Sequence, residues 1–154
     1  MMSMIKTVLK FIIALFFIGL APLQAHADSP EIYTRMRDNL AVSGYDTVSF
    51  FSGKPQKGNE EITLEYKGAR WNFATRANRD LFRTNPEAFA PAYGGYCAWA
   101  VAHDKLAKGS PKHWHVKDGR LFLNFNGRIQ RKWDKKRDTF ITKADEIWPD
   151  ILLD

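Results

Sequence analysis

Two segments of the chain alternate apolar and polar residues with the period of two that is typical of a half-buried β-strand. The first runs from Glu61 to Tyr66, is followed by the tight-turn dipeptide Lys67-Gly68, and continues as a second alternating run from Ala69 to Phe73. The second occupies residues 113–125 and turns at Asp118-Gly119, a pair that favours the two-residue turns of hairpins. The pattern therefore predicts two antiparallel β-hairpins.

Short segments with helical spacing or helix-start signals surround both predicted hairpins. Thr75 and Asn126 stand where N-caps are expected, and Asp46 is placed to cap one or two helical turns. The predicted helices cover about 30–40, 76–84, 96–104, 127–137 and 138–148. Because the strands occur in local hairpins and not in βαβ units, we expect an α+β fold, with a small antiparallel sheet built from the two hairpins and packed with several short helices.

The N-terminal 27 residues have the organisation of a secretory signal peptide. Lys6 and Lys10 form a basic start, an apolar run of eleven residues extends from Phe11 to Ala21, and Ala25-His26-Ala27 matches an A-x-A cleavage site. Eleven apolar residues are too few to span a bilayer, which takes roughly 20. The alternative, an uncleaved N-terminal anchor, would leave the small-residue site as a coincidence. We therefore predict export to the periplasm, cleavage before Asp28, and no stable membrane anchor afterwards.

The predicted mature chain, residues 28–154, has 127 residues, which is the size of one domain with a core of its own. Loss of Lys6 and Lys10 leaves 21 basic against 17 acidic residues, a net charge near +4. Domains that bind nucleic acid concentrate positive charge far more strongly. We interpret the basic run within 128–137 as the solvated face of a helix. These observations predict a single domain with no nucleic-acid partner.

An ordered series of sequence landmarks extends through most of the mature chain. The landmarks are Gly44-Tyr45-Asp46, Tyr66-Lys67-Gly68, Trp71, Phe73, Asn78-Arg79-Asp80, Phe82, Pro86-Glu87, Ala90-Pro91, Tyr93 to Ala98, Asp118 to Asn124, Trp133 and Trp148-Pro149. On these landmarks the chain, from about Ala41 to Trp148, resembles the YHS domain family. Members are small modules found alone in bacterial exported proteins or fused to copper-transporting ATPases. The resemblance is strongest to the exported, single-domain branch and implies a metal-associated fold.

The chain departs from this family where the metal-binding members carry cysteines. The modules attached to copper ATPases look like metal-binding units that use several cysteines around the equivalent hairpin and helix. Here residues 45–50 contain no cysteine, and the helix after the first hairpin offers Asn78 and Asp80 instead of paired thiols. Thr47 also stands where this branch usually has proline. Cys97 is the only thiol that remains.

Cys97 is the first candidate for a metal ligand, and three interpretations of it stay open. As a thiolate it is a soft ligand suited to Cu(I) or Zn(II), and its position in the first turn of a predicted helix would lower its pKa. As a small residue flanked by Ala98 and Ala100 it is equally suited to a buried core position. A single cysteine in an exported protein is also able to pair two chains.

The other candidate ligands are three histidines and one aspartate. His103 follows Cys97 by six residues, about 120° around an ideal helix, so both face one ion only if the helix has ended between them. His113 and His115 alternate on a predicted strand and therefore point to one face, either as a metal-binding pair or as two solvent-facing side chains. Asp46 either joins Cys97 at an ion or acts only as a helix cap.

Three hypotheses on function follow. The first is a non-catalytic binding protein for a transition metal, copper before zinc, with the candidate ligands Cys97, Asp46, His113, His115 and His103. The second needs no metal and is a structural or interaction module or a small-ligand binder, with a pocket formed by Tyr45, Trp71, Tyr93, Tyr96 and Trp99. The third is a thiol-dependent enzyme using Cys97, although no base lies near it in sequence and no phosphate-binding glycine loop or H-E-x-x-H motif occurs. The expected partner is a metal ion, a small ligand or another protein.

Overall fold

The structure is a computed structural model that describes residues 28–35 and 37–153. Its longest strands are those of the two predicted hairpins. The strands are β1 (Tyr45–Asp46), β2 (Gln56–Lys57), β3 (Asn59–Tyr66), β4 (Ala69–Phe73), β5 (Ser110–Lys117) and β6 (Arg120–Asn124). They pair as three separate antiparallel ladders, β1 with β2, β3 with β4, and β5 with β6. Both hairpins are therefore confirmed, but within the described residues they do not join into the expected single sheet.

Six short α-helices accompany the strands in the described part of the chain, and the fold is α+β. The helices are α1 (Thr47–Phe50), α2 (Arg76–Thr84), α3 (Pro86–Phe89), α4 (Ala98–Val101), α5 (Gly127–Asp134) and α6 (Arg137–Ile147). Single 3₁₀ turns lie at Val42–Gly44, Ala92–Gly95 and Asp150–Leu153. The first hairpin packs against α2, and the second packs against α4 and α5.

The three N-caps expected from the sequence are present. The side chain of Thr75 accepts a hydrogen bond from the backbone N–H of Asn78 at 3.1 Å and begins α2. The side chain of Asn126 accepts one from Ile129 at 3.0 Å and begins α5. Each cap satisfies a backbone donor that has no partner within its helix. At these helix starts the side chain next to the helix supplies the cap, which the sequence shows directly.

The N-terminal segment corrects the expectation of a helix over 30–40. Among its described residues none is helical, and Thr34 forms a single β-bridge with Ala41. The backbone N–H of Tyr33 donates to the carbonyl of Gly94 at 2.9 Å, and that of Ser29 donates to Leu152 at 2.9 Å. Backbone groups that bond to distant segments cannot form the hydrogen bonds of a helix. Tertiary contacts therefore outweigh the local preference for a helix over 30–40.

Two other helix boundaries also differ from expectation. The helix expected over 96–104 is only Ala98–Val101, because the backbone N–H of Cys97 donates to Ala107 and Tyr96 forms a β-bridge with Lys108. The last helix begins at Arg137 after the N-cap residue Lys136, and not after Asp138. Asp138 instead lies in the first turn, where its negative charge stabilises the positive end of the helix.

Strand β6 divides the core into two clusters. Leu121 and Leu123 belong to a cluster with Phe73 and Phe82, whereas Phe122 belongs to a second cluster with Trp133. Successive side chains of a strand point to opposite faces, so β6 is covered on both sides. Burial of each large apolar side chain stabilises a fold by about 1.5–3 kcal/mol. The buried side chains of β6 therefore contribute to the stability of both clusters.

The predicted signal peptide, residues 1–27, lies outside the described residues. Within the residues that are described, no helix combines the length and apolar character needed to cross a membrane.

Candidate functional site

Asp46 is completely buried, and its carboxylate is used for hydrogen bonds within the fold. One carboxylate oxygen accepts from the backbone N–H of Val48 at 3.0 Å and of Ser49 at 3.4 Å, which caps α1. The other oxygen accepts from the backbone N–H of Ala74 at 2.9 Å and from the Nδ2 of Asn78 at 2.7 Å. The residue therefore caps one helix and joins it to the start of α2, as the capping interpretation expects.

The hydrogen bond between Asp46 and Asn78 joins two of the sequence landmarks. It connects the segment 45–50 to helix α2. At this junction the side-chain amide of Asn78 donates to the carboxylate of Asp46, and this hydrogen bond holds the two segments together.

Cys97 is buried, with 1% of its surface exposed, at the N-cap position of α4. Burial raises the pKa of its thiol, and the backbone hydrogen bonds near it do not reverse the shift. The expectation of a lowered pKa is therefore wrong, because desolvation of the buried thiol outweighs the backbone hydrogen bonds that lower its pKa. The thiol lies 3.7 Å from the Oδ1 of Asn124, an amide oxygen that is too weak a base to take its proton. This geometry gives no support to the thiol-enzyme hypothesis.

Asn124 is a structural residue that sequence reasoning did not single out. It is fully buried at the end of β6, and its Oδ1 accepts from the backbone N–H of Trp99 at 3.2 Å, which caps α4. Its Nδ2 donates to the Oε1 of Gln130 at 3.0 Å, which connects the strand to α5. The available signal was one polar residue at the end of an apolar strand, where a buried polar group needs partners.

Two of the three candidate histidines lie beside aromatic side chains, and the third lies near the start of α5. The Nδ1 of His103 is 2.6 Å from the carbonyl of Trp99, and the imidazole stacks on the indole at 3.9 Å between centroids. His115 meets Trp133 edge to face at 5.9 Å, and burial, followed by the charge of Arg137, lowers its pKa. His113 lies near the beginning of α5, where its Cε1 would be 3.5 Å from a Cβ added at Gly127.

The five candidate ligands do not form a metal site within the described residues. In that part of the chain, no three histidine, cysteine, aspartate or glutamate side chains are close enough to share an ion. Zinc sites in proteins use three or four protein ligands, and Cu(I) prefers thiolates and thioethers. Cys97 offers one protonated thiol, and Asp46 already accepts four hydrogen bonds. The residues present do not fit a resident copper or zinc ion, and metal binding stays a prediction without geometric support.

The five aromatic residues expected to form a pocket lie in different places. Trp71 is fully buried in the first core cluster, and Tyr96 is buried with its hydroxyl donating to the carbonyl of Pro30 at 2.8 Å. Trp99 lines an apolar crevice beside Cys97. Only Tyr93 lines the cavity described next. Tyr45 lines a separate cleft.

A cavity of about 220 Å³ lies where the turns of both hairpins meet the 3₁₀ turn Ala92–Gly95. We call it the Tyr93 cavity. Its apolar wall comprises Ile32, Ala88, Ala90, Pro91, Ala92 and Trp148. Its polar wall comprises Glu31, Tyr66, Lys67, Glu87, Tyr93 and Arg120, with Gly94 and Gly119 between them.

Two groups of charged side chains border the Tyr93 cavity. In the first, the Nζ of Lys67 lies 2.6 Å from Glu31 and 3.1 Å from Glu87, and the hydroxyl of Tyr66 donates to Glu87 at 2.7 Å. Burial opposes the charged form of Lys67, but its hydrogen bonds to both glutamates outweigh burial and raise its pKa. The cavity therefore has a positive and a negative group fixed side by side at the first hairpin turn.

The second group connects the other hairpin turn to α6. Arg120 donates to both oxygens of Asp145, at 2.8 and 2.9 Å, and the hydroxyl of Tyr93 donates to the same carboxylate at 2.8 Å. The hydrogen bond from Arg120 lowers the pKa of Asp145, while burial and the hydrogen bond to Asp145 raise the pKa of Tyr93. The Tyr93 hydroxyl is thus a permanent donor at neutral pH.

The backbone of Tyr93 adopts a conformation that bulky residues rarely have. Its φ is +57°, and the next residue, Gly94, has a φ of +60°. A left-handed conformation costs a non-glycine residue roughly 1–2 kcal/mol, and such residues cluster at functional sites. A Cβ added at Gly94 would collide with the carbonyl oxygen of Glu31, so glycine is required where the two segments cross. The strain places the Tyr93 side chain between the cavity and the second core cluster.

Comparison of the chain with family models, with curated proteins and with solved structures found no match. The resemblance to the YHS family therefore stays a prediction made from the sequence landmarks.

Proposed function

We propose that this is an exported, non-catalytic binding protein that takes a small zwitterionic ligand in the Tyr93 cavity and needs no metal for it. This proposal follows the second hypothesis from the sequence, and periplasmic export is part of it. The observation that carries it is that the Tyr93 cavity has an apolar wall and is lined by side chains of both charges. The backbone of Tyr93, beside these groups, has a left-handed conformation.

The charges of the Tyr93 cavity suit a ligand with an ammonium and a carboxylate. Lys67 and Arg120 are the cations, and Glu31 and Glu87 are the carboxylates. The side chain of Glu87 is 73% exposed, so water screens its ion pair with Lys67, and a ligand carboxylate would compete with Glu87 for the ammonium group. Charge-assisted hydrogen bonds of this kind are short and strong, and they fix a ligand's orientation.

The size and lining of the cavity support a small ligand over a protein partner. A volume of about 220 Å³ is below the usual 300–1,000 Å³ range of drug-sized pockets and suits a molecule of amino-acid size. The side chains of Pro91 and Trp148 offer an apolar surface for the body of such a ligand.

The experiment is a titration of the mature chain, residues 28–154, with free amino acids, followed by NMR of the backbone amides and the Trp148 indole. We expect saturable shifts at Trp148, Gly94 and Gly119, weakened about tenfold in Lys67→Met because one charge-assisted hydrogen bond of about 1.4 kcal/mol is lost. Lys143→Met, an exposed lysine on α6 outside the cavity, is the matched control and should bind like wild type.

Simple carboxylates and simple amines distinguish a zwitterion site from a single-charge site. We expect propionate and ethylamine to bind more weakly than an amino acid that carries both groups. The proposal is wrong if amino acids produce no saturable shift at the cavity, or if Lys67→Met and Lys143→Met bind equally well.

A further inference from the structure

A second cleft, on another part of the molecule, has only positive charges. It lies between the N-terminal segment, β2 and the stretch before and within β5, with a volume of about 540 Å³. We call it the basic cleft. Its lining residues are four cations (Arg35, Lys57, Lys108, Lys112), three aromatic residues (Tyr33, Tyr45, Phe125) and four small or apolar residues (Ser43, Gly109, Ser110, Pro111). No aspartate or glutamate is among them.

Backbone pairing and aromatic contacts place two of the cations. Lys57 is the ladder partner of Tyr45, its Nζ lies 5.3 Å from the centroid of that ring, and it donates to the carbonyl of Ser43 at 3.1 Å. Lys108 is the β-bridge partner of Tyr96, and its Nζ lies 5.4 Å from the centroid of Phe125. Backbone pairing therefore places both lysines at the cleft, and their ammonium groups contact the aromatic rings that line it.

The four cations of the basic cleft differ in their partners from several, though not all, of the cations that line other pockets. Lys67, Lys117, Arg120 and Arg137 all form ion pairs with carboxylates. Among the residues that the structure describes, none of the four cleft cations has a carboxylate within 4 Å. The cleft holds four positive charges, as many as the whole net excess of residues 28–154. The cleft thus places four cations around one concave surface whose lining contains no carboxylate, and a concave surface of one charge sign focuses the electrostatic field.

From this arrangement we infer that the basic cleft binds a phosphate-bearing ligand. Lysine ammonium groups bind phosphate oxygens as point charges, and Arg35 adds a guanidinium whose fork matches phosphate geometry. The volume exceeds what a phosphate alone would fill, and the rings of Tyr33, Tyr45 and Phe125 offer apolar surface for the remainder of the ligand. A soluble phosphate ester and a phospholipid headgroup share this chemistry.

The test compares two double variants of the mature chain with the same change in net charge. Lys57→Gln/Lys108→Gln removes two cleft cations, and Lys135→Gln/Lys143→Gln removes two exposed lysines that do not line the cleft. The probes are ribose 5-phosphate, measured by NMR shifts, and phosphatidylglycerol vesicles, measured by flotation against phosphatidylcholine vesicles. Thermal melting shows whether each variant is folded.

We expect saturable binding of at least one probe by wild type, weakened at least about tenfold in the cleft variant and unchanged in the control variant. Binding of ribose 5-phosphate with shifts at Lys57 and Lys108 supports a soluble phosphate ester. Binding only to phosphatidylglycerol vesicles, with the same variant pattern, supports a lipid headgroup. The inference is overturned if neither probe binds, or if both double variants lose affinity equally. Because this cleft shares no lining residue with the Tyr93 cavity, it can fail while the proposed function stands.

Discussion

Buried polar residues connect the elements of this protein. Asp46 and Asn124 are both fully buried, and each caps one helix while bonding to a second element. A buried polar group without partners costs free energy, so these two residues stabilise the fold only in the native arrangement. Cys97 packs beside Asn124 as a small protonated side chain. Asp46 and Cys97, two of the candidate metal ligands, therefore contact other groups of the fold.

Replacement of Asp46 tests this role. Asp46→Ala removes the acceptor of four hydrogen bonds and leaves buried N–H donors without partners. We expect the free energy of unfolding to fall by about 4 kcal/mol, measured by denaturant unfolding of the mature chain. Glu146→Ala, at an exposed position on α6, should change it little. Equal unfolding midpoints for Asp46→Ala and wild type would contradict the role assigned to Asp46.

At the scale of elements, a short turn determines where the Tyr93 cavity forms. The turn Ala92–Gly95 brings Tyr93 to the cavity through three consecutive residues with positive φ, at Tyr93, Gly94 and Gly95. The N-terminal segment crosses this turn, with Tyr33 donating to the carbonyl of Gly94. Glycine is needed at Gly94 both for its conformation and for this close approach.

Two glycine substitutions separate these two requirements. Gly94→Ala adds a Cβ where the Glu31 carbonyl lies, whereas Gly119→Ala adds one where nothing lies within 4 Å, at a similar positive φ. We expect Gly119→Ala to lower the free energy of unfolding by about 1 kcal/mol, from backbone strain alone. Gly94→Ala should cost about 3 kcal/mol, because the N-terminal segment must also move away from the cavity. Similar unfolding midpoints for the two variants would show that the close approach contributes nothing.

At the scale of the whole molecule, charge is distributed unevenly between two concave surfaces. The Tyr93 cavity combines both signs in ion pairs, while the basic cleft has four cations and no carboxylate among its lining residues. The candidate metal ligands gather at neither surface, since none of the five lines the cavity or the cleft. The two concave surfaces are therefore separate from the residues predicted to bind a metal ion.

A Cu(I) titration tests the metal hypothesis directly. Because no three candidate ligands in the described residues lie together, we expect no tight, stoichiometric Cu(I) binding by the mature chain against a competing chelator. Cys97→Ala and His113→Ala/His115→Ala should then behave like wild type. Tight binding that is lost in Cys97→Ala would restore the metal hypothesis with the thiol as its ligand. Loss only in the double histidine variant would place the metal site on β5.

The sequence by itself determined the features that depend on neighbours along the chain. Strand alternation placed both hairpins, and local hydrogen-bonding chemistry identified Thr75, Asn126 and Asp46 as N-caps. These features depend on contacts within a few residues, which sequence spacing records directly.

Only the tertiary structure decided the features that depend on distant segments. The segment 30–40 does not form its expected helix, because its backbone bonds to residues far along the chain. The pKa of the Cys97 thiol is raised by burial and not lowered as its position at a helix start predicted. The Tyr93 cavity and the basic cleft also depend on contacts between distant segments. The cavity lies at the turns of two hairpins, and the cleft depends on the pairing of Lys57 with Tyr45 and of Lys108 with Tyr96. The physical reason is that burial and charge proximity are properties of three-dimensional neighbours, which spacing along a chain does not contain.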